Sequence, residues 1–132
     1  MGALSSPINV SSEAGDEVEK RDSHGCYGQD SSQWIPKDEM VSAITAGCNR
    51  LGSNTIAIGK EIGTFVSTSG GHSVYINFRS NNFNGWFVNP GFCTNVMHDI
   101  LNKCTWKLDG VQGSTGGSWT YDNQGIGNLD TQ

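Results

Sequence analysis

The sequence predicts an α+β fold: a two-layer α/β sandwich with two helices on one face of a mainly antiparallel sheet, stapled by two disulfides. Three observations lead there. Apolar residues recur at helical spacing twice, through Met40, Ile44, Cys48 and Leu51, and through Cys93, Val96, Met97, Ile100, Leu101 and Cys104. Between and after these stretches, short runs alternate apolar with polar side chains, which is the strand period. Four cysteines in 132 residues supply the staples.

Taken in order, a short strand precedes the first helix. That helix opens at Pro36, whose fixed φ suits a first helical position, and Asp38 and Glu39 complement its dipole. Gly52 supplies its stop. Thr55 to Ser67 reads as strand, carrying Ile56, Ile58, Ile62 and Val66 with Gly59 and Gly63 as interruptions. Ser73 to Phe78 alternates Val74, Ile76 and Phe78 against Ser73, Tyr75 and Asn77. Arg79 to Asn84 reads as a turn, and Gly85 to Val88 as a short strand. The second helix runs from about Thr94 to Lys103, entered through Asn89-Pro90. A flexible Gly-rich loop is expected over 110–117, then a last strand at Ser118 to Tyr121.

Hydrophobic residues are only 35% of the chain and glycines number 18. So lightly apolar a domain buries a modest core and needs cross-links. An even cysteine count in a small, polar chain indicates disulfides and an oxidising compartment. Cys26, Cys48, Cys93 and Cys104 form no CxxC knuckle and there is no spaced histidine pair, so no metal site is expected. Cys93 and Cys104 lie eleven residues apart on one helix, roughly 16 Å, too far to pair with each other. With both helices running the same way across the sheet, the expected pairs are Cys26–Cys93 and Cys48–Cys104.

The formal charge is −5. A phosphate backbone would be repelled over most of the surface, so no nucleic-acid partner is expected. No run of eighteen apolar residues spans a membrane. Residues 1–21 divide from the rest: they lack aromatic residues, are rich in Ser, Gly and acids, and end in Lys20-Arg21, a dibasic processing signal of secretory proteases. They read as a disordered pro-segment bearing the sequon at Asn9, ahead of a single domain at 22–132. The expected product is secreted, extracellular and monomeric, and binds no cofactor.

Four segments carry a resemblance: His24-Gly25-Cys26-Tyr27-Gly28; Ala43-Ile44-Thr45-Ala46-Gly47-Cys48; Met97-His98-Asp99-Ile100-Leu101-Asn102-Lys103-Cys104; and Gly116-Gly117-Ser118-Trp119-Thr120-Tyr121. Together their pattern resembles the smut-fungus killer toxins and the small secreted effectors of plant-pathogenic fungi. The resemblance covers most of residues 24 to 122 in element order. It implies a two-layer α/β sandwich, secretion, and toxin-like or virulence activity without catalysis. This chain departs from the smut toxins in being acidic and poorer in cysteine, so fold and lifestyle carry over and no functional residue does.

No catalytic residue stands out. GxSxG, HExxH, Walker and dinucleotide motifs are all missing. His98 and Asp99 are adjacent on a helix and point about 100° apart, so they read as a solvated face. His72 reads as a turn residue and His24 as part of a mobile end. A small ribonuclease would need a base, an acid and a cation, roles open to Glu61, His72, Arg79 and His98. Their spacing does not compel convergence. For binding, the tract around Asn81-Asn82-Phe83-Asn84-Gly85 mixes aromatic and amide groups, as recognition surfaces do. Arg79, Asn82, Asn84 and Trp86 are the candidate contacts, although Trp86 on its short strand also suits the core. The expected target is a host-plant or competitor protein at the cell surface or in the apoplast, or a glycan, with a cell-wall carbohydrate-binding module as a further alternative.

Overall fold

A computed structural model describes residues 21–28 and 33–132. The lead segment, with Asn9 and Lys20, lies outside the described residues, and Arg21 is already the first residue of a strand. In chain order the elements are β1 (Arg21–Cys26), β2 (Ile35–Pro36), α1 (Lys37–Leu51), β3 (Asn54–Ile56), β4 (Glu61–Ser67), β5 (Ser73–Ser80), β6 (Trp86–Val88), α2 (Pro90–Lys103), β7 (Thr105–Leu108), β8 (Val111–Ser114), β9 (Gly116–Tyr121) and β10 (Gly125–Thr131). A five-stranded antiparallel sheet has the order β1-β9-β10-β5-β4. Two small sheets accompany it, β2-β8-β7 and β3-β6.

Both helices start and stop for local reasons. Pro36 occupies the N-cap of α1, Asp38 and Glu39 sit in its first turn, and Gly52 ends it with φ of 69°. Asn89 caps α2, its side chain accepting from the Phe92 N–H at 2.8 Å, and Pro90 follows where no donor is needed. The stripes foreseen in the sequence are the buried faces: Met40, Ala43, Ile44, Gly47 and Cys48 on α1, and Cys93, Val96, Met97, Ile100 and Leu101 on α2. They pack on one face of the large sheet, against Val66, Val74, Ile76, Phe78, Trp119 and Leu129. Full burial of each large aliphatic side chain supplies roughly 1.5–3 kcal/mol of transfer free energy.

The disulfide pairing differs from expectation. Cys26 joins Cys104 and Cys48 joins Cys93, not Cys26–Cys93 and Cys48–Cys104. The physical reason is helix direction. Strand β2 leads straight into α1, β7 leads straight out of α2, and β8 pairs with both. The start of α1 and the end of α2 are therefore at the same end of the layer, and the helices run in opposite senses. Cys48 near the end of α1 then faces Cys93 near the start of α2, with Cα atoms 5.6 Å apart. Cys104 is left for the edge strand β1.

Three further segments differ. The tract at 110–117 is not a flexible loop: β8 and β9 run through it, and residues 113–117 are buried. Its glycines permit close approach, since a Cβ at Gly113 would lie 2.3 Å from the Trp34 ring. The stretch expected as one strand over 55–67 is broken at Ala57–Lys60, where Gly59 takes φ of 79°. Finally, β10 is an additional strand beyond Tyr121. His24, expected at a mobile end, sits in β1 with its ring stacked on Trp119 at 4.9 Å.

Candidate functional site

The five-stranded sheet buries one face under the helices and leaves the other without a covering element among the described residues. The open face presents Glu61, Phe65, Tyr75, Asn77, Arg79, Ser118, Thr120, Ile126, Asn128 and Asp130, fixed by the strand alternation and the observed register. Across its middle, Asn128 donates to Asn77 at 3.3 Å and accepts from the Tyr27 hydroxyl. Burial, together with the nearby Asp130 carboxylate, raises the Tyr27 pKa above its ordinary value. Toward the β4 edge, Tyr75 lies flat over Gly63, where a Cβ would meet its hydroxyl at 2.5 Å. The ring stacks on Phe65 at 4.4 Å, and its hydroxyl donates to Glu61 at 2.9 Å. Desolvation and the Glu61 carboxylate raise the Tyr75 pKa.

At the end of the sheet where β5 and β9 stop and β10 begins is a cavity of about 220 Å³. Its walls include Ile58, Arg79, Asn81, Thr120, Tyr121 and Ile126. The Ala57–Lys60 turn closes one side because its backbone is tied to β5: Gly59 N–H donates to Ser80 O at 2.9 Å, and Ser80 N–H to Lys60 O at 2.9 Å.

The chain then leaves β5 through the loop expected to be a recognition surface. Asn81 N–H donates to Gln124 O at 2.7 Å, and the Asn82 amide donates to Gln124 Oε1 at 2.8 Å. Asn82 Oδ1 accepts from Asn84 N–H at 2.9 Å, an Asx turn, and Gly85 N–H closes the turn on Asn82 O at 2.9 Å. Gly85 has φ of 91°, a conformation glycine alone adopts readily. The turn holds Phe83 at its tip with 86% of its surface exposed, and Phe87 on β6 is 57% exposed.

The candidate contacts therefore separate into distinct roles. Arg79 and Asn84 are exposed. Asn82 is half-buried and builds the loop. Trp86, named as a contact, is only 5% exposed and belongs to the core, packed edge-on to Phe78 and Phe92 at 5.6 and 5.8 Å. The strand alternation turns Trp86 inward and Phe87 outward. The exposed aromatic missed in the sequence is Phe83. Its signal was present: in the tract 81–85 it is the one apolar residue, and a turn cannot bury it.

The ribonuclease roles are not brought together. Glu61 and Arg79 are cross-strand partners at one end of the β4–β5 hairpin, while His72 lies past the other end, about 20 Å away at strand rise. There His72 Nδ1 and Thr68 Oγ1 bind the Glu39 carboxylate at 3.0 and 2.7 Å. His98 is on α2, on the other side of the sheet from Arg79. All four cysteines are in disulfides, leaving no free thiol. Among the described residues no helix is long and apolar enough to cross a membrane.

No protein family, curated protein or solved structure matches the chain.

Proposed function

We propose that this is a secreted, non-catalytic binding protein of the fungal effector or toxin-like kind, which engages a host-plant or competitor target outside the cell through the Arg79–Phe87 segment. The carrying observation is Phe83, an aromatic ring held 86% exposed on a loop whose turns are closed by hydrogen bonds. Exposing a phenyl ring forgoes burial energy, and fixing its backbone lowers the ordering cost of association. A rigid, exposed aromatic anchor is the kind of residue that dominates an interface hot spot. Two disulfides support endurance in an oxidising medium.

The test is infiltration of the pure protein into leaf tissue, or exposure of competitor cells, with Phe83→Ala beside wild type. The variant is expected to lose most of the response with an unchanged melting temperature, because Phe83 supports no core contact. A full response from Phe83→Ala rejects the loop as the contact surface. A glycan target is the second reading. The Asn128 amide, between the stacked Tyr75 and Phe65 rings and Tyr27, favours a hydroxyl-rich chain laid across the open face. Glycan-array binding that depends on Tyr75 would favour it over a protein target.

A further inference from the structure

We propose that the cavity at the β5–β9–β10 end of the sheet is a binding site for a small monocarboxylate with an apolar or aromatic body. This goes beyond the loop reading, since it concerns a small ligand and stands or falls without Phe83.

Arg79 supplies the first argument. The protein carries a formal charge of −5, and its cations would be expected to find carboxylates. Yet among the described residues the Arg79 guanidinium has neither a hydrogen bond nor an ion pair. Its cross-strand partner is Glu61, the natural candidate to neutralise it. That carboxylate is instead engaged by the Tyr75 hydroxyl, which reaches it across Gly63. A bulkier residue at 63 would lift the ring and free Glu61. The arrangement keeps a planar, permanently charged fork available at the wall of a cavity.

The cavity supplies the second. At about 220 Å³ it is smaller than the roughly 300–1,000 Å³ pockets that take drug-sized ligands, so it admits a single ring or a short branched chain. Ile58 and Ile126 are the apolar residues of its lining, Tyr121 borders it, and Thr120 adds a polar residue on the same sheet face as Arg79. One arginine matches one carboxylate in bidentate geometry. A phosphate ester, with close to two charges, would face that single cation inside an acidic protein.

The experiment is a titration of ¹⁵N-labelled protein followed by amide NMR, using sodium 3-phenylpropanoate, 3-phenylpropanamide, phenyl phosphate and the peptide Gly-Gly-Phe with a free C-terminus. The propanoate is expected to saturate and to move the backbone signals of Gly59, Ser80, Asn81, Gly125 and Ile126. The neutral amide should bind about tenfold more weakly or worse, and R79Q should lose a similar factor for the acid. R79K keeps the charge without the fork and should fall between. E61Q should bind at least as well as wild type, while Y75F, which releases Glu61 toward Arg79, should bind less well. Gly-Gly-Phe binding as tightly as the free acid would identify a peptide C-terminus as the source; weaker binding would identify a free acid. Equal affinity for acid and amide, tighter binding of phenyl phosphate, no effect of R79Q, or signals moving elsewhere would overturn the proposal. Because the readout is binding, its failure is separable from a failed leaf response.

Discussion

The two disulfides are predicted to differ in worth, in the order opposite to that of their loop lengths. Cys26–Cys104 spans a sequence separation of 78 and Cys48–Cys93 one of 45. Loop-closure entropy alone assigns the longer bridge about 4.5 kcal/mol and the shorter about 4 kcal/mol. Packing reverses the order. Cys48 and Cys93 are both fully buried between the helices, whereas in the other bridge Cys104 is buried but Cys26 is exposed on an edge strand, so its removal vacates the space of one buried sulfur rather than two. Replacing the buried pair by alanine also leaves a void where two sulfurs stood, adding about 1–2 kcal/mol. The expected losses are therefore about 5–6 kcal/mol for C48A/C93A and about 4–5 kcal/mol for C26S/C104S. At about 4 °C per kcal/mol for a domain near 100 residues, C26S/C104S should melt roughly 18 °C below wild type and C48A/C93A lower still. Thermal unfolding followed by circular dichroism measures both, with peptide mapping of the wild type to confirm the pairs. A C48A/C93A variant that melts above C26S/C104S would refute the claim that burial outweighs loop length.

Three further outcomes are expected. The Glu39 carboxyl lies below its ordinary pKa of 4.5, held there chiefly by Thr68 and then by His72, so its stabilisation is fully present above that value and is lost as the pH falls through the lowered one. Melting curves of wild type and Glu39→Gln should therefore differ most near neutrality and converge in acid; a constant gap across pH 7 to 3 would be inconsistent with that carboxylate's role. Gly116→Ala should cost about 3 kcal/mol or more, because residue 116 has φ of 85° and a Cβ there would lie 2.0 Å from Leu129 O. Urea unfolding measures this, and a loss under about 1 kcal/mol would contradict the tight β9–β10 approach. Asn82→Ala should reduce the biological response by loosening the loop around Phe83, with protection of the Asn84 and Gly85 amides from hydrogen exchange falling in parallel; unchanged protection would show that Asn82 does not order the turn.

The helices were legible in the sequence because their buried stripes are made of large apolar residues flanked by a capping proline, a capping asparagine and a terminal glycine. Strand β5 was legible because Val74, Ile76 and Phe78 alternate cleanly. Strand β10 was not. Its inward positions are Gly125, Gly127, Leu129 and Thr131, so the period of two is written mostly in small residues. Burial there comes from neighbours that descend onto the glycines: Trp86 over Gly125, Val96 and Phe78 over Gly127. The same holds for Gly113 beneath Trp34, which made a strand look like a flexible linker. The cysteine pairing was misjudged because helix direction is set by β2-β8-β7, a sheet of short strands whose only local sign is Trp106 and Leu108 in alternation. Within the candidate site, the turn at 81–85 was legible from its Asn and Gly residues, whereas the exposed aromatic was not. Trp86 drew attention by size, but strand alternation decides which aromatic faces water.

Strand β10 comes last among the described elements, yet it lies in the interior of the large sheet, between β9 and β5. Without it, the β1–β9 ribbon and the β4–β5 hairpin share no hydrogen-bonded boundary. Assembly of the sheet therefore waits for residues 125–131, and nothing made earlier can close it. A chain cut short at Gln124 would be two half-sheets with raw inner ladders, each a template for pairing with another chain. The integrity of the large sheet thus depends on the last strand described, and a chain ending at Gln124 is expected to lose it.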